Sequence, residues 1–143
     1  KDTFSELSRY GVMLEGTILK ASMVIAGKKA AAQSTPEQVG AETIRVLQAT
    51  VPKNLAGVVF LSGGQADERA SANLDAMNKL GTAPWPLTFS YSRAIQNPLL
   101  KICAADRAAN VTKAQDALIF RSRMNSLASM GQYSAEMETT RPY

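Results

Sequence analysis

Three short apolar runs, separated by longer helical segments, constrain the fold of this chain more than any other feature. The runs are GVMLEGTIL at 11–19, GVVFL at 57–61 and LTFSY at 87–91. The second run is continuously apolar, which is typical of a parallel strand that is covered on both faces. Strands that alternate with helices predict a parallel sheet and therefore an α/β fold.

A strong helix-start signal lies between the first and second runs. Thr35, Pro36 and Gln38 form it, because threonine caps a helix, proline suits its first turn and glutamine completes a capping box. Pro52 marks the end of this helix, since proline does not continue a helical hydrogen-bond pattern. The interval therefore predicts one amphipathic helix that packs against the sheet.

Further helices are predicted after the second and third runs. One begins near Asp67 and stops at Gly81, a residue type that commonly terminates helices. Another covers 93–105, and an additional long helix covers 112–130. The tail at 131–143 has little apolar content, so we expect it to be mobile or loosely docked.

The number of strands bounds the architecture. A (β/α)8 barrel contains eight strands and needs about 250 residues. This chain has 143 residues and three predicted strands. If the chain belongs to a barrel, it supplies only part of one.

Composition excludes several classes of site. The chain is 45% hydrophobic and 20% charged, which is typical of a soluble globular protein. It has no histidine and a single cysteine, Cys103, which excludes an internal disulfide framework, histidine-based triads and the usual zinc sites within it. No apolar run approaches the about 20 residues of a membrane span, and residues 1–9 lack a signal-peptide core. We therefore expect a cytoplasmic protein without membrane association.

The charge balance favours an anionic small molecule as the ligand. The net charge is +4 and the pI is about 9.4. Nucleic-acid binding is one interpretation of a basic chain, but Lys and Arg are scattered and only 6% of residues are aromatic and able to stack on bases. No specific nucleic-acid partner is therefore expected. An anionic substrate fits better, because positive charge then gathers in one cleft.

Polar side chains follow each of the three apolar runs. The clusters are Lys-Ala-Ser at 20–22, Ser-Gly-Gly-Gln at 62–65 and Ser-Tyr-Ser-Arg at 90–93. In parallel α/β folds, ligands bind at the carboxyl ends of the strands. All three clusters are therefore predicted to share one rim of the sheet.

The second and third clusters together predict a phosphate site. Glycines let backbone N–H groups approach a ligand closely, and a helix N-terminus favours an anion. Arg93, which follows the next strand, has a guanidinium suited to phosphate oxygens. The alternative for the glycine turn is an ordinary tight connection, and the alternative for Arg93 is a solvated side chain or a partner of a carboxylate.

Lys20 has two interpretations. A lysine at a strand end usually extends its ammonium to solvent. The sharper interpretation is a nucleophilic amine, since an amine near other cations in an apolar pocket can be neutral and attack a carbonyl. The imine that forms would act as an electron sink for cleavage of a neighbouring carbon–carbon bond.

Several segments resemble one enzyme family over nearly the whole chain. LEGTILKASMV at 14–24 is similar to the Schiff-base segment of class I fructose-bisphosphate aldolases. FLSGGQ at 60–65 resembles their seventh strand and phosphate loop, and WPLTFSYSRAIQ at 85–96 resembles their eighth strand. The segments at 35–52 and 73–79 are also similar in place and spacing. Three ordered motifs at matching separations are more specific than any one of them.

The resemblance implies a fold and an activity. The fold is a (β/α)8 TIM barrel, of which residues 1–130 supply the last three strand–helix units and a C-terminal helix, and residues 131–143 the tail. The activity is reversible cleavage of fructose 1,6-bisphosphate to dihydroxyacetone phosphate and glyceraldehyde 3-phosphate in glycolysis and gluconeogenesis. It implies no metal and no cofactor. The implied partners are the remaining N-terminal half of the barrel and the other subunits of a homotetramer, and the fragment alone is expected to be inactive.

The resemblance also implies a role for individual residues. Lys20 forms the imine with the substrate ketone, and Tyr143 assists proton exchange at the enamine carbon. The ketone-side phosphate is held by four residues: Ser62, Gly63, the backbone N–H of Ser92, and Arg93.

Two departures from the family pattern affect this site. Ala21 stands where the family usually has proline, and Ser92 where it commonly has glycine. Two other functions remain open. One is another lysine-imine barrel lyase with a different phosphorylated sugar or keto acid. The other is a non-catalytic phosphate-binding or scaffold role.

Overall fold

The computed structural model describes residues 2–143, and its central feature is a three-stranded parallel sheet. The strands are β1 (Ile18–Ala21), β2 (Gly57–Phe60) and β3 (Leu87–Phe89), hydrogen-bonded in the order β1-β2-β3. The helices are α1 (Asp2–Arg9), α2 (Pro36–Thr50), α3 (Asp67–Leu80), α4 (Arg93–Ala105) and α5 (Val111–Ser129), with short 3-10 helices at Leu14–Gly16 and Ala135–Thr140. The predicted parallel α/β arrangement is confirmed.

The helix boundaries agree with the local signals in the sequence. Thr35 Oγ1 accepts a hydrogen bond from the Gln38 N–H at 3.3 Å, and Gln38 Oε1 accepts one from the Thr35 N–H at 2.9 Å. This reciprocal capping box starts α2 as predicted. Gly81 ends α3 in the left-handed region, with φ of 62°.

The prediction for the first strand is wrong in its boundaries. Gly11 has a φ of +67° and residues Leu14–Gly16 form a 3-10 turn, so only Ile18–Ala21 is extended. Lys20 therefore lies within β1 rather than after it. β1 is also exposed on one face, unlike the buried second strand, since Ile18 is 62% exposed. The physical reason is the alternation of side chains along a strand: Ile18 points to the same face of the sheet as Lys20, and the core leaves this face open.

The third strand is shorter than predicted, and α1 was not predicted at all. β3 ends at Phe89. Tyr91 is buried and its hydroxyl donates to the Ala70 carbonyl at 2.9 Å. The segment that contains Ser92 and Arg93 is thereby tied to α3, which places both residues at the rim.

The hydrophobic core lies between β2 and the helices α2 and α3. Val58 and Phe60 of β2 are fully buried there. On α5, the apolar Leu118 is 41% exposed, whereas the polar residues Arg121 and Asn125 are buried. Within residues 2–143, no helix combines the length and the apolar character that a membrane span needs.

The C-terminal tail is docked, which differs from the mobile or loosely docked segment that we expected. Tyr133 is 3% exposed, and its backbone N–H donates to Asp75 Oδ1 at 2.9 Å. Glu138 accepts two hydrogen bonds from Arg121 of α5, at 2.8 and 2.7 Å. Tyr133, Met137 and Tyr143 also pack against the core, so that a few apolar side chains and these polar contacts together dock the tail. Composition alone did not predict this docking, because it does not show which partners these side chains meet.

Candidate functional site

The backbone brings the three polar clusters to one rim of the sheet. Beyond the ends of the strands, the Leu61 N–H donates to the Ala21 carbonyl at 2.9 Å, and the Ser90 N–H donates to the Phe60 carbonyl at 2.8 Å. The segments that follow β1, β2 and β3 are thus held side by side at the carboxyl ends of the strands. This confirms the predicted shared rim.

The Ser-Gly-Gly-Gln turn needs its two glycines. Gly63 has a φ of +59° and Gly64 a φ of +80°, which side chains other than that of glycine rarely adopt. The Gln65 N–H closes the turn on the Ser62 carbonyl at 3.0 Å. Asn73 is 1% exposed and donates from Nδ2 to Gln65 Oε1 at 2.7 Å, which anchors the turn to α3. The turn is therefore held in one conformation just before the N-terminus of α3.

Two cationic side chains lie over the second glycine of this turn. A Cβ placed on Gly64 would be 3.4 Å from Arg93 Nη1 and 3.6 Å from Lys28 Nζ. Both cations thus reach the second glycine of the turn, Lys28 from the loop between β1 and α2 and Arg93 from the first residue of α4. A cavity of about 200 Å³ beside the turn is lined by Lys28, Gly63, Gly64 and Arg69, among others. Sequence reasoning identified Arg93 here and missed Lys28.

Lys20 lies on the strand next to this turn, on the face of the sheet that the core leaves open. It pairs in register with Val59, which is partly exposed, whereas the flanking Val58 and Phe60 are buried in the core. Lys20 itself is exposed. Among residues 2–143, it has no side-chain hydrogen-bond or ion-pair partner. An amine in this position is open to a ligand that approaches the rim.

Ser62 and Ser92 occupy different environments. Ser62 is buried directly after β2. Ser92 is exposed at the start of α4, and its hydroxyl donates to Gln96 Oε1 at 3.1 Å. The Ser92 side chain is therefore turned toward its own helix.

Tyr143 lies apart from the glycine turn but shares a cavity with Arg93. The cavity measures about 510 Å³ and is lined by both residues, together with Asp67, Lys101 and others. The Tyr143 ring packs edge-on against Phe120 at 6.2 Å, and its hydroxyl donates to Asp67 Oδ2 at 3.4 Å. Burial raises the pKa of the Tyr143 phenol, which keeps the hydroxyl protonated.

A second group of charges lies under the tail and was not predicted. Arg121 is fully buried and contacts Glu138 at 2.7 Å and Asp67 at 3.5 Å. Arg141 contacts Glu138 at 2.7 Å and Asp67 at 3.3 Å. The only sequence signal was the basic Arg121-Ser122-Arg123 pair, and a pair of this kind on a helix does not reveal which arginine is buried.

These contacts shift the protonation of the three carboxylates that they involve. Burial alone would raise the pKa of Glu138, but hydrogen bonds from Arg121 and Arg141 hold it below its usual value. Burial opposes ionisation of Asp67 as well, but its hydrogen bond with Glu68 and the charges of the two arginines lower its pKa. The Asp67–Glu68 hydrogen bond raises the pKa of Glu68. The carboxylates under the tail are thus held by arginines that act as structural partners.

Comparison with known protein families gives a match along almost the whole chain. The sequence model of the glycolytic family described as fructose-bisphosphate aldolase class-I matches residues 1–142. A probable fructose-bisphosphate aldolase class 1 from Xanthomonas axonopodis pv. citri is 48% identical over 133 residues, covering 93% of this chain and 40% of that protein. The fructose-bisphosphate aldolase of Dictyostelium discoideum is 45% identical over 136 residues, covering 95% of this chain and 38% of its own length.

A solved structure is similar in fold as well as in sequence. It is a ternary co-crystal structure of fructose-bisphosphate aldolase from Plasmodium falciparum with TRAP and a small-molecule inhibitor. The TM-score is 0.87 at 48% identity, with 92% of this chain and 38% of that chain covered. This likeness supports an α/β fold of the TIM-barrel type, to which the three-stranded parallel sheet contributes a part. The chain spans 38–40% of the length of these three relatives.

Proposed function

The chain belongs to the class-I fructose-bisphosphate aldolase family, and on this premise we propose that the complete polypeptide is a Schiff-base aldolase. It reversibly cleaves fructose 1,6-bisphosphate to dihydroxyacetone phosphate and glyceraldehyde 3-phosphate. The observation that carries this proposal is the rim itself. An unpaired lysine on β1 stands beside a glycine turn over which a guanidinium lies.

Lys20 is the electrophile-forming residue in this proposal. Its amine attacks the ketone carbon of the substrate, and loss of water leaves an iminium. The C3–C4 bond then breaks with its electron pair moving into the iminium, while the C4 hydroxyl gives up its proton. Protonation of the resulting enamine and hydrolysis release dihydroxyacetone phosphate and the free amine. Tyr143 assists the proton exchange at the enamine carbon, for which a phenol that stays protonated is suited.

The ketone-side phosphate binds at the glycine turn. Backbone N–H groups near Gly63 face the anion, and the N-terminus of α3 adds its partial positive charge. Arg93 supplies a guanidinium that matches phosphate oxygens. Ser62 and the Ser92 N–H complete this set. Phosphate binding at a fixed place would hold the ketone carbon near Lys20 and so favour imine formation.

The remaining part of the polypeptide closes the barrel in this proposal. The chain supplies strands six to eight, and the free edges of β1 and β3 pair with strands from the N-terminal half. The exposed side chains of Tyr10, Met13 and Ile18 are apolar surface that this half would cover. The complete enzyme is proposed to be a cytoplasmic homotetramer.

Borohydride trapping tests this function directly. The complete polypeptide would be mixed with dihydroxyacetone phosphate, reduced, digested, and searched by mass spectrometry for the adduct. We expect the adduct on Lys20. Trapping should be lost in Lys20→Arg, whereas the matched control Lys29→Arg should form the adduct as the wild type does. No adduct on a full-length folded protein would favour the non-catalytic phosphate-binding role. An adduct with poor competition by fructose 1,6-bisphosphate would favour another lysine-imine lyase.

A further inference from the structure

A second cation lies at the glycine turn, on the loop that joins β1 to α2. Lys28 Nζ and Arg93 Nη1 lie within 3.6 Å of one point, the position that a Cβ on Gly64 would occupy. The two residues belong to different segments, since Lys28 lies on the loop between β1 and α2 and Arg93 is the first residue of α4. A single anion above Gly64 would therefore reach both charges.

Neither cation has a compensating carboxylate among residues 2–143. The nearest acidic residues along the chain after the turn are Asp67 and Glu68, and both contact Arg141 instead, at 3.3 and 3.5 Å. Two like charges held close together repel each other, and this repulsion is relieved when an anion binds between them. The arrangement at the turn thus favours a ligand with more than one negative charge.

The loop that carries Lys28 is anchored on both sides of the lysine. The Val24 N–H donates to Thr43 Oγ1 at 3.0 Å, and Gln33 Nε2 donates to the Gly27 carbonyl at 3.1 Å. Arg69 of α3 also donates to the Ser34 carbonyl. These bonds hold the loop against α2 and α3, so that Lys28 is presented to the turn by an ordered backbone.

We infer that Lys28 is the second cationic ligand of the substrate phosphate and a determinant of specificity for a phosphate monoester dianion. This inference rests on the proposed function of the same site. A phosphate monoester carries about −1.5 to −2 charges at neutral pH. Arg93 neutralises one of these charges and Lys28 the other. Because Lys28 lies eight residues after Lys20, on the loop between β1 and α2, its contact with the phosphate also fixes the loop that follows the imine-forming strand.

The test compares ligands with and without the phosphate on the complete polypeptide. Borohydride trapping on Lys20 would be measured against the concentration of dihydroxyacetone phosphate and, separately, of dihydroxyacetone. In Lys28→Met, we expect the half-saturating concentration of dihydroxyacetone phosphate to rise about tenfold to a hundredfold, the range of one charge-assisted hydrogen bond. The half-saturating concentration of dihydroxyacetone should not change, because that ligand has no phosphate.

Two matched variants separate the charge from general effects of mutation. Lys28→Arg keeps the positive charge and should retain most of the affinity. Lys29→Met removes the neighbouring exposed lysine, which does not line the cavity at the turn. This variant should leave the half-saturating concentration of both ligands unchanged. An equal loss for both ligands in Lys28→Met, or no loss for either, would overturn the inference.

Orthophosphate binding distinguishes failure of this inference from failure of the proposed function. Calorimetric titration with inorganic phosphate measures the affinity of the site formed by Lys28 and Arg93 for phosphate, and this measurement does not require an imine. If the wild-type protein forms no adduct, the aldolase function fails, but weaker phosphate binding in Lys28→Met would still support Lys28 as a phosphate ligand. Equal phosphate binding by wild type and Lys28→Met would overturn that role, even where the Lys20 adduct forms.

Discussion

Two regions next to the N-terminus of α3, one under the C-terminal tail and one at the glycine turn on the rim of the sheet, hold cations in opposite ways. On the tail side, Arg121 and Arg141 each contact carboxylate oxygens of both Asp67 and Glu138. On the rim side, Arg93 and Lys28 converge on Gly64 without a carboxylate partner among the described residues. Only two residues separate Gly64 from Asp67 along the chain.

The difference teaches how to separate structural cations from ligand-binding ones. A buried charge is tolerated when it is paired and hydrogen-bonded, and Arg121 meets this condition through Glu138 and Ser71. Cations that converge without a carboxylate partner do not stabilise the fold by pairing and are explained by an anion that binds there. Pairing, and not the presence of a positive charge, therefore distinguishes the two regions.

Removing a paired cation should have the largest effect on stability. Arg121→Met leaves the Glu138 carboxylate without its bidentate partner, and removing one member of a buried pair costs about 3–5 kcal/mol. The free energy of unfolding of the complete polypeptide in urea measures this loss. The matched control is Arg123→Met, an exposed position on the same helix, which should leave that free energy unchanged. A loss of unfolding free energy below about 1 kcal/mol in Arg121→Met would contradict the distinction between stabilising paired cations and unpaired ones.

Removing an unpaired cation should weaken ligand binding and leave stability unchanged. Arg93→Met deletes a guanidinium that contacts the phosphate in the proposed site, and we expect about a tenfold to hundredfold rise in the half-saturating dihydroxyacetone phosphate concentration. Arg107→Met is the matched control, since Arg107 is exposed on the segment after α4. A clear loss of unfolding free energy in Arg93→Met would mean that Arg93 has a structural partner, as Arg121 and Arg141 do.

Acidification should loosen the tail and provides the smallest of the three effects. Arg121 and Arg141 hold the pKa of Glu138 below its ordinary value of 4.5, against the effect of burial. A carboxylate with a lowered folded pKa stabilises the fold fully above 4.5, and this contribution is lost as the pH falls through the folded value. The effect is smaller than deletion of Arg121, because a protonated carboxyl still forms hydrogen bonds.

The pH effect is measured by comparing two proteins rather than one. The free energy of unfolding of the wild type and of Arg121→Met would be followed from neutral pH to below 4.5. Their difference should shrink as the pH falls, because protonation of Glu138 removes from the wild type the ion pair that Arg121→Met already lacks. A difference that stays constant would show that Glu138 does not titrate against Arg121.

Features with local causes were predictable from the sequence. The capping box of Thr35 and Gln38 and the left-handed Gly81 depend on residues a few positions apart, so their sequence signals were sufficient. The shared rim was also predictable, because parallel strands place their carboxyl ends together. The extent of β1 was not, since a short edge strand depends on its neighbour rather than on its own apolar residues.

The sequence by itself determined the alternation of strands and helices, the glycine turn before α3 and the family to which the motifs belong. Only the tertiary structure decided which charges are paired. Lys28 and Arg93 lie far apart along the chain and meet at Gly64, and Arg121 reaches Glu138 across the junction of α5 and the tail. Electrostatic partners are chosen by distance in space, whereas helix and turn signals act through neighbours in the chain. For this reason the sequence indicated where the positively charged side chains lie along the chain, and the fold decided which of them have no carboxylate partner and can bind an anion.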